Sequence, residues 1–137
     1  MARRETIESN LLVMRDNLSD SMLGVYYRQP ATSERQDYIN KRSVRQGKRF
    51  VDNSAACRVK FAKKIITGLR DGDFERPDEH GGWRGISSNP QSPDYLENWQ
   101  DWMEANAADV LTALAVRVFE APVIAVGVNP DEDLDQD

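Results

Sequence analysis

From Ile7 to Met14 the apolar residues (Ile7, Leu11, Val13) fit two-residue alternation about as well as a short helix. Met22 to Arg28 is richer in β-formers and stops just before Pro30, which has no N–H to continue a ladder. The two runs predict a short N-terminal β-hairpin, residues 10–15 against 22–28, turning at Asn17–Asp20; an irregular arm packed on helices is the alternative. Pro30-Ala31-Thr32-Ser33-Glu34 then gives a break, a cap and an acidic first turn. This starts a polar helix held by Tyr38 and Ile39, with Gly47 where a C′ residue would sit.

A stronger helix is predicted from a cap at Asp52 or Asn53 to Leu69. Ala55, Val59, Ala62, Ile66 and Leu69 recur at three- and four-residue steps, and Phe61 and Ile65 widen the stripe. Asp71-Gly72-Asp73 ends it in a turn. Residues 75–92 hold Pro77, Pro90, Gly81, Gly82 and Gly85, and predict a long surface loop anchored by Trp83 and Ile86. Ser92-Pro93-Asp94 predicts another helix start, followed by a Leu96, Trp99 and Met103 stripe with Tyr95 and Trp102 beside it. A second cap at Asn106–Asp109 allows a bend there. The helix that follows buries Val110, Leu111, Leu114, Val118 and Phe119, and ends at Pro122. Val123–Val126 is a short strand or a docking arm, and the acidic run 129–137 a disordered tail. The expected fold is therefore mainly α: one domain over residues 1–128, of about four helices.

At 137 residues, one core is what the length supports. No apolar run approaches the roughly 18 residues that span a bilayer. The N-terminus, Met-Ala-Arg-Arg-Glu, lacks the apolar stretch of a signal peptide, and Cys57 stands alone, so the expected compartment is the cytoplasm. The net charge of −5 conceals a division: −1 over residues 1–40, +9 over 41–70 and −13 over 71–137. Such a chain can neutralise itself, or take an anionic partner at one place and a cationic one at another.

Little here points to catalysis. His80 is the single histidine and with Cys57 falls short of a zinc set, which needs about four ligands. Asp71, Asp73, Glu75, Asp78 and Glu79 lack the ordered spacing of a calcium loop. Cys57 lies on an apolar helix, as a packed thiol rather than a nucleophile. We expect no enzyme activity, no cofactor and no metal. Two binding surfaces remain. Trp99, Trp102 and Met103 present large apolar area in one helical turn and, with Leu111, Phe119, Val123 and Ile124, form the partner-binding candidates. Arg45, Lys48, Arg49, Lys60, Lys63 and Lys64 form a nucleic-acid alternative, against which the pI of about 4.9 weighs.

The segment Tyr26-Tyr27-Arg28-Gln29-Pro30-Ala31-Thr32-Ser33-Glu34-Arg35, with Tyr38 one turn later, resembles the tail assembly chaperones of long-tailed bacteriophages and prophages. The basic run from Arg58 to Phe74, then a loop, a Ser/Asn-Pro segment and a final helical pair, extend the resemblance over most of residues 24–121. It implies a non-enzymatic protein of the bacterial host cytoplasm. Its partners would be a tape-measure protein and tail-tube subunits, and it could form a homo-oligomer. A structural head–tail joining protein of the virion is the further alternative.

Overall fold

The N-terminal alternation is a β-hairpin in the computed structural model of the chain, which describes residues 9–123 and 125–127. Strand β1 (Asn10–Asp16) pairs antiparallel with β2 (Ser21–Tyr27), Leu12 opposite Val25 and Met14 opposite Leu23. The turn is organised by Asp16, whose carboxylate accepts from the Leu18 and Ser19 amides at 3.1 and 3.3 Å. Leu12 and Met14 face the core while Leu11 and Val13 are exposed, as period-two alternation requires.

The remaining elements run as follows: helix α1 (Thr32–Lys41), strands β3 (Ser43–Gln46) and β4 (Arg49–Asp52), helix α2 (Ser54–Ile65), strand β5 (Ile66–Leu69), strands β6 (Glu75–Pro77) and β7 (Trp83–Gly85), then helices α3 (Trp99–Asn106) and α4 (Ala108–Ala115). One π-helical turn, Val116–Glu120, completes the order. About 36% of the described residues are helical and 29% are strand, in three small sheets. The fold is mixed α/β, not mainly α.

Three local departures account for the difference. The stripe expected to carry one helix to Leu69 breaks at Ile66, where the backbone turns extended (φ −69°, ψ 128°). Ile66 and Thr67 are β-branched and Gly68 is a poor helix former, and the open edge of β2 offers them a ladder. The sheet order is therefore β1-β2-β5. Second, the polar helix stops at Lys41, and Ser43–Asp52 folds back as a hairpin around Gly47 and Lys48. Gly47 (φ +63°) alone takes the positive φ that the first central position of a type II′ turn demands. Third, the loop 75–92 contains the β6–β7 hairpin, organised by Asp78, which accepts from the His80 and Gly82 amides at 2.8 Å. The predicted helix start at Ser92 is a run of turns; α3 begins only at Trp99, and Ala107 (φ −140°) breaks α3 from α4 as the second cap allowed. The acidic tail 129–137 lies outside the described residues.

The main core brings Leu23, Val25, Ile65, Ile66, Leu69, Phe74, Ile86, Met103, Leu111 and Leu114 together between the three-stranded sheet and α2, α3 and α4. Gly24 lets the sheet close against the turn after β5: a Cβ there would lie 3.0 Å from Arg70 Nε. Arg70 bonds Asp73 at 2.6 Å, and the same carboxylate oxygen accepts from the Gly24 amide at 2.7 Å.

A second, aromatic cluster sits at the far end of α4. The Tyr38 ring stacks on Phe119 at 4.7 Å and meets Phe61 edge-on at 5.4 Å. Its hydroxyl donates to Glu120, which Arg58 also holds at 2.7 Å. Burial, then the carboxylate beside it, push the Tyr38 hydroxyl up to about 12. The π turn is what delivers Phe119 and Glu120 to this place.

Arg28 joins the hairpin to both helices. It grips Glu34 through two bonds of 2.7 and 2.8 Å, and its amide donates to the Ile65 carbonyl at 3.0 Å. Glu34 in turn accepts from the Ala31 amide at 2.9 Å, capping α1. The Arg28 bonds hold the Glu34 carboxyl down at about 2, against an ordinary 4.5. A depressed carboxyl stabilises the fold above its unfolded pKa and loses that contribution as pH falls through the folded one. Glu34→Gln should therefore cost about 1 kcal/mol near neutrality. Urea denaturation of both proteins should show that gap shrinking below pH 4.5 and closing towards pH 2.

Candidate partner-binding groove

At the other end of α4 the hairpin turn, the β6–β7 hairpin and the α3–α4 break enclose a groove of about 340 Å³. Its floor is core: Leu23, Phe74, Ala107 and Val110 are each under one-tenth exposed. Trp102 is half-buried, and Phe74 meets it edge-on at 6.3 Å. The walls are two residues that folding leaves outside. Leu18 is 92% exposed at the tip of the β1–β2 turn, and Trp83 is 66% exposed on β7.

The rest of the lining is Ser19, Asn106 and four acids, Asp16, Asp73, Glu75 and Asp109, with no Lys or Arg among the described residues. Asp73 is balanced by Arg70. Asp16, Glu75 and Asp109 have no ion pair among the described residues. The Ser19 hydroxyl and Leu18 amide hold the Asp16 carboxyl below its ordinary range, so it stays ionised. An apolar trough with a negative rim suits a ligand that is apolar on one side and basic around it.

The sequence-derived partner set is divided by the fold. Trp102 lines the groove. Trp99, Met103 and Leu111 are core, at 8%, 0% and 0% exposure, and offer a partner nothing. Phe119 is half-buried in the Tyr38 cluster. Val123 is exposed near Arg117 and Pro122, and Ile124 lies outside the described residues. Helical spacing identified these residues but could not separate the face that packs from a face that binds. Leu18 and Trp83, which line the groove, stand outside that set. One is a lone apolar residue in a polar turn, the other an expected anchor of the loop 75–92.

The basic set also separates. Arg45, Lys48 and Arg49 lie on the exposed β3–β4 hairpin, whereas Lys60, Lys63 and Lys64 lie on α2. Lys63 is held by Asp101 and Glu104, both at 2.7 Å, so part of the acidic half does neutralise the basic one. Lys64 sits 4.6 Å over the Phe61 ring. Cys57 is buried, and its thiol donates to the Lys41 carbonyl at 3.0 Å; His80 is exposed in the β6–β7 turn. Among the described residues no group of three or more His, Cys, Asp or Glu is placed to hold a metal, and no helix is long and apolar enough to cross a membrane.

Scans against protein-family models and searches of curated proteins and of solved structures each find no match to this chain. The groove must be judged on its own chemistry. Leu111→Ala, a core truncation, should cost about 2 to 5 kcal/mol in chemical denaturation. Trp83→Ala, at the exposed wall, should change stability by about 0.5 kcal/mol or less. A large stability loss from Trp83→Ala would place that side chain in the core instead.

Proposed function

We propose that this chain is a non-enzymatic binding protein of bacteriophage tail assembly. In this reading it is a chaperone that holds a basic, amphipathic segment of a tape-measure or tail-tube protein in the host cytoplasm until the tube polymerises. The observation that carries the binding half is the groove itself. Leu18 and Trp83 expose apolar area that a small protein ordinarily buries, beside three carboxylates that have no ion pair among the described residues. A helix laid in this trough would bury its apolar stripe against Trp83, Trp102 and Leu18 and set flanking lysines or arginines against Asp16, Glu75 and Asp109.

The tail-assembly half rests on the segment from Tyr26 to Tyr38. Its distinctive residues are tied into one joint. Arg28 binds Glu34, Arg35 donates to the Val118 carbonyl at 2.5 Å, and Tyr38 fills the aromatic cluster. A motif that fixes how the hairpin, both middle helices and the last turn meet is a motif of the fold, which supports reading the resemblance as one of architecture.

Co-expression with the tape-measure protein of the same phage should yield a soluble complex, and Trp83→Ala with Leu18→Ala should abolish co-purification while the chain stays folded. Retention of the complex by that double variant would remove the groove from the account. Mass spectrometry of finished particles should find the chain absent; its presence there would make it a virion joining component instead.

A further inference from the structure

The β3–β4 hairpin is exposed at every one of its strand positions. It stands off the fold between α1 and α2 as an isolated two-stranded ribbon, a unit that is marginal in water by itself. Both of its faces mix apolar and cationic side chains. Arg45 lies opposite Phe50 on one face, its guanidinium 6.0 Å from the ring; Val44 lies opposite Val51 on the other, next to the Gln46–Arg49 pair. Phe50 is 72% exposed, Val44 40% and Val51 41%. Lys48 sits at the tip. A basic ribbon with exposed apolar side chains is the chemical complement of the acidic-rimmed groove.

The ribbon is rooted away from its own groove. Its root lies at the Glu120 end of α4, where Arg42 approaches Glu120 at 3.9 Å. The groove is at the Asp109 end. From Ala108 to Glu120 the helix runs about 18 Å at 1.5 Å per residue, whereas a four-residue strand extends about 13 Å.

We infer that the β3–β4 ribbon of one copy docks in the groove of a second copy. Phe50 packs against Trp83 and Trp102, and Arg45, Lys48 and Arg49 meet Asp16, Glu75 and Asp109. This pair of unlike patches closes a two-fold dimer by reciprocal exchange, or propagates into a ring. The inference rests on reading the groove as a binding surface but not on any role in tail assembly. A client with the same chemistry would compete with the ribbon for the groove.

Sedimentation of the full chain alone, in low and high salt, tests it without any client, so a failed client pull-down and a failed self-association are separate results. The wild type should associate with rising concentration, and less so in high salt. Phe50→Ala, Arg45→Glu with Arg49→Glu, and Glu75→Lys with Asp109→Lys should each weaken association about tenfold or more. All five positions are exposed, so circular dichroism should show the fold intact. Mixing the two charge-reversed variants should restore association, because each then offers the other an opposite-signed ribbon and groove. A wild type that stays monomeric in low salt, or a mixture that fails to associate, would overturn the inference. So would a ribbon variant that self-associates normally while losing salt-sensitive binding to duplex DNA, which would make the ribbon a nucleic-acid element.

Discussion

The Glu120 carboxylate is the point on which the parts of this fold converge. It accepts from the Tyr38 hydroxyl and from Arg58, and Arg42 stands near it. Three segments far apart in sequence, α1, α2 and the π turn, are thus tied by one side chain of which little remains exposed. The Arg58 bonds hold its carboxyl below the ordinary range, so the joint stays charged at neutral pH. A paired, hydrogen-bonded charge in such a place is valued less for net energy than for geometry, because removing either partner leaves the other unsatisfied. Here the geometry sets where α4 ends. The opposite end of α4 then forms the groove, and the root of the β3–β4 ribbon is fixed beside the joint.

Much of this was legible in the sequence, and the failures have specific causes. The N-terminal hairpin followed from β-formers, a polar turn and Pro30. The turn at Asp71–Asp73 and the break near Ala107 followed from local turn and capping chemistry. The strand β5 was hidden because Ile66 and Leu69 continue the three-and-four spacing of α2, and a short apolar run of that kind does not distinguish helix from strand. The deciding factor was tertiary, the free edge of β2. The β3–β4 ribbon was hidden for a different reason. Only Val44, Phe50 and Val51 are large and apolar in a cationic segment, so its alternation is faint, and Gly47 suits a helix end as well as a turn. The candidate site suffered from the same ambiguity at the level of faces. A stripe of Trp99, Met103 and Leu111 is what a core looks like and what a binding face looks like until the neighbours are known.

The charge division along the chain acquires a spatial meaning. Some of it is consumed internally, where Lys63 meets Asp101 and Glu104 and Arg58 meets Glu120. Part of the rest is displayed on two surfaces. Among the cations and carboxylates in no ion pair of the described residues, Arg45, Lys48 and Arg49 stand on the ribbon, and Asp16, Glu75 and Asp109 line the groove. Apolar side chains accompany both, Phe50 on one and Trp83 and Leu18 on the other. Electrostatics at such surfaces governs approach and register, and the buried aromatic area supplies the affinity.

The central claim is that the groove beside Trp83 and Trp102 is where this protein meets a partner. The chain's three tryptophans report on it directly, since Trp83 and Trp102 line the groove while Trp99 is buried outside it. The indole N–H resonances of the isotopically labelled chain should be followed as the tape-measure protein is added. The account predicts that the Trp83 and Trp102 signals move together and Trp99 stays in place. Binding that leaves Trp83 and Trp102 unmoved would contradict it.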